Sequence, residues 1–315
     1  MASYNGARHL REQLESIASQ TCLPDELVVC DDCSMDETLD ILESFSKNAL
    51  FPVRIHQNPE NLGYAQNFAK AIRLCQGDIV FFCDQDDIWF PGKIEKILEV
   101  FSGNHDVGYV FSDATLVDDE LVPFGSLWAH IGFSGARYGS YVNGNQLDAI
   151  LGGGPFVYGN AMAFRSCFRD LILPILSTPE ITHDSWVSIL LSAVGNRGIA
   201  FPEELLAYRQ HVRQAVGAGR KNTIREKWRR AKQDRRSVFL GKATGLRSLS
   251  DRIRALPGID VFQLDQCIAH MEARASLQAL ASWRRLPIIF AELNSGRYSR
   301  FSSSWKSAFK DLLFT

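Results

Sequence analysis

The chain has 315 residues, an apolar share of 46%, a charged share of 22% and a formal net charge of −2. That composition is ordinary for a globular protein, and the near-neutral charge excludes a global electrostatic case for binding nucleic acid. No run approaches the roughly 18 apolar residues of a membrane helix. MASYNGARHL lacks the apolar core of a secretory signal, so a cytoplasmic placement is expected. The seven cysteines are odd in number and several sit in apolar runs, as reduced thiols used for packing do. Cys30 and Cys33 form a C-x-x-C, but no second pair accompanies them to complete a zinc site.

Residues 7–20 carry Leu10, Leu14 and Ile17 at helical spacing. Leu27–Cys30 (LVVC) is short, apolar and β-branched, which predicts a buried strand. Ser34 followed by Glu37 has the form of a capping box opening the helix LDILESFS. Phe51–His56 predicts a further strand, Asn61-Leu62-Gly63 a turn, and Tyr64, Phe68, Ile72 and Cys75 the buried stripe of another helix. Ile79–Cys83 (IVFFC) is again a buried strand, and DQDDIW follows it. Pro91 suits the first turn of the next helix, whose core face is Ile94, Ile97, Leu98 and Phe101. Val107–Phe111 completes the series. Alternating strands and helices with solidly apolar strands predict an α/β fold with a mostly parallel sheet flanked by helices.

Residues 112–160 are rich in Gly, Tyr, Phe and Trp and weakly periodic, as functional loops often are. Asp184–Val194 predicts a helix and Ile199–Phe201 a short strand. From Arg220 to Arg236 the chain turns basic, and 247–283 and 297–315 read as amphipathic helices. The expected organisation is therefore an α/β domain over 1–217 and a helical region over 218–315.

Carboxylates follow three of the apolar segments: Asp31-Asp32, Asp84-Gln85-Asp86-Asp87 and Asp113. In an open α/β sheet the carboxyl ends of the strands open onto one crevice where ligands bind. Like charges gathered there disfavour one another unless a cation compensates. All-oxygen ligands favour a hard divalent ion, Mg2+ or Mn2+, completed by substrate phosphates. In an extended D-Q-D, Asp84 and Asp86 face one way and Gln85 the other. Tyr4-Asn5-Gly6, before the first helix, offers a ring to a planar base or a packing tyrosine in a turn. His183-Asp184 opens an apolar helix, where Asp184 is either a cap or a proton acceptor. Arg209 can pair with a diphosphate, and His211 can bind a metal or a phosphate or serve structure.

These pieces resemble glycosyltransferase family 2, the inverting group with the GT-A fold. SYNGARHLREQLESIASQT, ELVVCDDCSMDET, NPENLGYAQNFAKAI, GDIVFFCDQDDIWFPGKIE and YRQH look like that family's successive blocks, in order, over about residues 1–217. They look most like bacterial rhamnosyltransferase-type members that build surface polysaccharide. The resemblance implies a nucleotide-diphosphate sugar donor (UDP- or dTDP-linked, such as dTDP-rhamnose) and a saccharide or lipid-linked acceptor. It places Ser3, Tyr4, Asp32, Asp84 and Gln85 at the nucleotide, with Asp32 accepting from a base imide. It makes Asp86 the main metal ligand, with His211 able to reach the metal, and Asp184 the catalytic base. Gly159, Asn160, His183, Trp186 and Arg209 fall beside the donor and acceptor sugars.

Three departures from the family pattern stand out. Most of the apolar strand that precedes the family's Y-N is missing before Ser3. The usual glycine after the paired acids is Cys33, which costs on the order of 1 kcal/mol if the position has positive φ. There is no Q-x-x-R-W block of processive synthases, which favours single additions. Two other readings use similar parts. One is a non-catalytic nucleotide-sugar binder. The other is a nucleotidyltransferase, which needs a glycine-rich phosphate loop that SYNGARHL only poorly supplies. Trp228 among the Arg and Lys of 220–236 also suits peripheral contact with the inner face of a membrane.

Overall fold

A computed structural model of the protein describes residues 1–152, 156–211, 214, 217 and 235–313. In chain order the elements are β1 (Ala2–Ser3), α1 (Ala7–Ala18), β2 (Leu27–Asp31), α2 (Thr38–Ser46), β3 (Val53–Gln57), α3 (Tyr64–Leu74), β4 (Ile79–Phe81), β5 (Ile88–Trp89), α4 (Lys93–Ser102) and β6 (Val107–Val117). Then come β7 (Pro123–Ser126), α5 (Leu127–Ile131), α6 (Gly135–Asn143), α7 (Gln146–Gly152), β8 (Met162–Arg165), α8 (Arg169–Ile172), α9 (His183–Ala193) and β9 (Arg197–Arg209). The helices α10 (Arg235–Arg254), α11 (Phe262–Leu277), α12 (Ser282–Asn294), α13 (Arg297–Phe301) and α14 (Trp305–Leu313) follow.

These elements form two compact units that interleave along the chain rather than dividing at residue 217. One comprises Met1–Ser134, Val157–Ile175 and Asn196–Ala218; the other comprises Gly135–Phe156, Leu176–Gly195 and Gly219–Thr315.

The first unit is α/β. β1, β2 and β3 pair in parallel in that order, and a second sheet runs β4-β8-β6-β9-β5 with β7 on β6. β2 is buried along its whole length, which explains its continuous apolar run. Leu10, Leu14 and Ile17 are the buried stripe of α1, and Ile97 and Phe101 of α4 pack with Val107, Val110, Ala163 and Leu205. In the second sheet β6 and β9 run parallel, whereas β8, β7 and β5 pair antiparallel to their neighbours. One of these, β7, comes from the loop-rich section 112–160, where periodicity is weak, and β8 follows just after it.

The capping box expected at Ser34 does not form. α2 begins at Thr38 with Glu37 at its N-cap and no side-chain cap. Ser34 instead donates to Asp31 (2.5 Å) and accepts from the backbone N–H of Asn5 (2.8 Å). An acidic partner three residues upstream has captured the hydroxyl that a helix end would use.

The second unit is helical: α6, α7, α9 and α10–α14. Leu277, Ile289, Tyr298 and Ala308 form one of its apolar clusters. Charged groups are buried beside them. Arg274 donates to Asp311 (2.6 Å), Tyr298 donates to the same carboxylate (2.8 Å), and His270 lies 2.7 Å from Glu292.

Candidate active site

The site residues of the α/β unit gather where β1, β2 and β4 end and where β9 runs out. Ser3 is buried and donates to Asp31 (2.9 Å). Tyr4 is half-exposed. Its backbone is gripped by a side chain: Tyr4 N–H donates to Gln85 Oε1 (2.8 Å), and Gln85 Nε2 donates back to Tyr4 O (3.0 Å). Gln85 thus does not simply turn away between Asp84 and Asp86; it fixes the Tyr4 turn. Gly6 follows from the same contact, because a Cβ there would lie 2.1 Å from Gln85 Oε1.

Asp32 is buried, and its carboxylate already accepts from Asn58 Nδ2 (2.7 Å), Leu62 N–H (2.8 Å) and Gly63 N–H (2.9 Å). These three donors fix its position at the end of β2. Cys33 has φ +70°, so the residue that replaces the family's glycine does sit in the left-handed region.

The acidic loop 84–87 runs from β4 into β5. β5 pairs antiparallel with β9, Ile88 opposite Ala207 and Trp89 opposite Leu206. That register carries Arg209 and His211 past the acids. His211 Nε2 lies 2.8 Å from Asp86 Oδ2, both side chains being largely buried. Asp87 is fully buried and accepts from Asn160 Nδ2 (2.7 Å) and from Arg209 N–H (3.1 Å). Burial, then the nearby Asp86 and Asp84, hold its carboxyl well above the usual carboxylate range. Lys93, also buried, donates to the Asn160 carbonyl (2.5 Å) and lies over the Trp89 ring at 4.1 Å. Burial brings its ammonium down to about 8. Gly159 and Asn160 form a single 3-10 turn before β8.

Arg209 departs from its expected role at a diphosphate. It is buried, and its guanidinium donates to the carbonyls of Asp86 (2.9 Å) and Asp119 (2.8 Å) and to Glu12. It braces the acidic loop from within, with Nε, Nη1 and Nη2 each donating to a protein acceptor. Asp113, the third strand-end acid, is likewise committed. It accepts from Ala114 N–H (2.7 Å), Trp128 N–H (2.9 Å) and Ser126 Oγ (2.5 Å), closing the turn into α5.

His183, Asp184 and Trp186 belong to the helical unit. Thr182 is the N-cap of α9 and Asp184 lies in its first turn, so Asp184 is not the capping residue. Its carboxylate accepts from Ser185 N–H (2.6 Å) and from Thr182 Oγ1. His183 is buried, and burial draws its imidazole below the ordinary value against the pull of Asp184. Trp186, expected beside a sugar, is fully buried. Its place three residues into an apolar helix makes it a core side chain.

Sequence reasoning singled out neither Asp87 nor Lys93. Asp87 stood in plain view as the fourth residue of DQDD, but nothing local distinguishes a buried acid from a turn acid. Lys93 precedes the apolar stripe of α4 and reads as a solvated helix start. Among the described residues no group of three or more His, Cys, Asp or Glu side chains is arranged to hold a metal. All seven cysteines, Cys30 and Cys33 included, are free thiols.

This arrangement, acids at strand ends and a tyrosine turn beside them on an α/β core, is that of the GT-A fold. The profile described as Glycosyl transferase family 2 matches residues 1–165. The chain belongs to that family. It is 35% identical over 109 residues to the dTDP-rhamnosyl transferase RfbG of Shigella flexneri, covering 33% of this chain and 38% of that protein. It is 33% identical over 112 residues to an uncharacterized glycosyltransferase of Haemophilus influenzae, covering 36% of each. The matched stretch thus spans little over a third of the length of either relative. Among solved structures, S. aureus TarS 1-349 in complex with UDP-GlcNAc superposes with a TM-score of 0.57 at 17% identity, over 86% of this chain and 69% of that one. A likeness at that identity speaks for the fold. Among the described residues no helix is long and apolar enough to cross a membrane.

Proposed function

We propose that this protein is an inverting glycosyltransferase that moves a single sugar from a UDP- or dTDP-linked donor to a saccharide or lipid-linked acceptor in surface polysaccharide synthesis. The observation that carries this reading is the meeting of Asp86 and His211 across 125 positions of sequence, 2.8 Å apart, beside a tyrosine turn locked by Gln85.

Two donors that close, one carboxylate and one imidazole, suit a divalent ion that keeps waters and takes the rest of its shell from phosphate oxygens. Asp86 and His211 would hold Mn2+ or Mg2+, and such an ion would supply positive charge against the leaving diphosphate. Tyr4 offers its half-exposed ring to the base, and Asp32 offers remaining lone-pair capacity to a base imide. Asp84 lies toward the ribose, while Gly159 and Asn160 border the sugar. Arg209 and Asp87 keep the acidic loop in place. Asp184 takes the proton from the acceptor hydroxyl. That oxygen bonds to the anomeric carbon from the face opposite the diphosphate, the bond to the diphosphate oxygen breaks, and configuration inverts. Of the basic stretch 220–236 considered for membrane contact, residues 220–234 lie outside the described residues.

The test is a pair of variants. Asp86→Ala is expected to abolish manganese-dependent binding of UDP or dTDP in calorimetry. Asp184→Asn is expected to bind donor as the parent does while losing transfer by roughly 10²–10⁴-fold. Undiminished affinity in the first, or near-normal turnover in the second, refutes the corresponding role.

A further inference from the structure

The helical unit carries an apolar surface that its own core does not use. On α12, Arg285, Ile289 and Glu292 face inward, while Trp283, Leu286, Phe290 and Leu293 are exposed, Trp283 by 68%. At 3.6 residues per turn those four exposed side chains fall within about 80° of one another. α14 repeats the pattern. Ala308 and Asp311 face inward, while Trp305, Phe309 and Leu313 are exposed at successive i, i+4 positions, Trp305 by 66%. The two helices pack against each other within the unit. Two neighbouring helices therefore each present a stripe of aromatic and aliphatic side chains outward, and scattered single residues do not produce this.

The charges beside these stripes have one sign. The exposed charged residues of α12 and α14 are Arg284, Lys306 and Lys310. The only acids on the two helices, Glu292 and Asp311, are buried and paired with His270, Arg297, Arg274 and Arg235. On α14, Lys306 and Lys310 follow Trp305 and Phe309 by one position each, and so flank the apolar stripe along one edge. An apolar stripe with interfacial tryptophans and a lysine margin free of exposed acids matches the boundary between lipid headgroups and acyl chains. A core contact needs no basic margin, and a spanning helix would be apolar all round.

We propose that the paired faces of α12 and α14 dock the protein on the surface of a membrane rich in anionic phospholipid. The apolar side chains enter the interface, and Arg284, Lys306 and Lys310 meet the phosphates. This placement is distinct from the basic stretch 220–236 and does not rest on the transfer chemistry.

The full chain is mixed with vesicles of phosphatidylcholine alone or with phosphatidylglycerol added, and binding is read by flotation and by tryptophan emission. Binding to the anionic vesicles is expected, with a blue shift that the serine variant below loses, since among the described residues Trp283 and Trp305 are exposed while Trp89, Trp128 and Trp186 are buried. Replacing Trp283, Phe290, Trp305 and Phe309 with serine is expected to lower partitioning by at least roughly tenfold. Lys306→Glu with Lys310→Glu is expected to remove the preference for anionic lipid, again by more than roughly tenfold. All six positions are exposed, so thermal melting should match the parent and exclude unfolding as the cause. Absence of binding, or equal binding by the serine variant, overturns the proposal. So does a serine variant that leaves vesicle binding intact but turns a light-scattering dimer into a monomer, which would assign the face to a second copy of the chain.

Discussion

Asp87 is where the structure makes its sharpest energetic demand. Its carboxylate is fully buried and is the acceptor for Asn160 Nδ2 at 2.7 Å and Arg209 N–H at 3.1 Å. Asp87→Ala leaves both donors without an acceptor in a site that excludes water. Each such donor costs about 1–3 kcal/mol, so the variant should lose about 2–6 kcal/mol before any cavity is counted. Asp87→Asn keeps one acceptor oxygen and turns an amide toward the other donor, so about 1–3 kcal/mol should be lost. At the lower bound Asp87→Ala lowers the melting temperature by about 4–8 °C. The assay is urea and thermal unfolding of both variants, followed by donor affinity of the folded fraction. Asn160 and the Arg209 backbone flank Asp86 and His211, so metal-dependent nucleotide affinity should fall with stability. A stability loss under about 0.5 kcal/mol for Asp87→Ala would refute the reading of Asp87 as the acceptor that ties the acidic loop to β9.

Three further outcomes follow from single contacts. Gly6→Ala places a Cβ on Gln85 Oε1 and should release the two hydrogen bonds that hold Tyr4, weakening nucleotide binding by roughly tenfold in calorimetry; unchanged affinity would detach Gln85 from the base site. Cys33→Gly relieves a side chain at φ +70° and should stabilise the protein by about 0.5–1 kcal/mol by thermal melting, the gain being limited by glycine's freedom in the unfolded chain. Burial, offset in part by the bond to Glu292, draws the His270 imidazole below its ordinary value, so the unfolded chain takes up that proton at higher pH than the folded one. Stability should be full above about pH 6.5 and fall as pH drops below it toward the folded value. A melting temperature that is flat or rising between pH 7 and 5, or a slope unchanged in His270→Gln, would contradict this.

The local grammar of the α/β half was legible in the sequence. Apolar runs such as LVVC announced strands covered on both faces. Leu10, Leu14 and Ile17 announced the inward stripe of α1, and the glycine normally found at position 33 warned of positive φ. The acids after those strands were legible as a candidate site because a strand's carboxyl end is a fixed place in an open α/β sheet. Period and residue type are short-range quantities, and they fix what each segment is.

What each polar side chain does was settled by pairings between distant segments. The β5–β9 register sets His211 against Asp86, turns Arg209 inward and gives Asp87 a backbone donor 122 positions away. No pattern within either strand encodes that register. The same holds for Ser34, drawn from a helix cap to Asp31, and for Trp186, which an apolar helix takes into its core. It holds again for α14 and for α12, the latter falling between the helices expected over 247–283 and 297–315. Only packing decided which face would be spent on the core and which would be left outward.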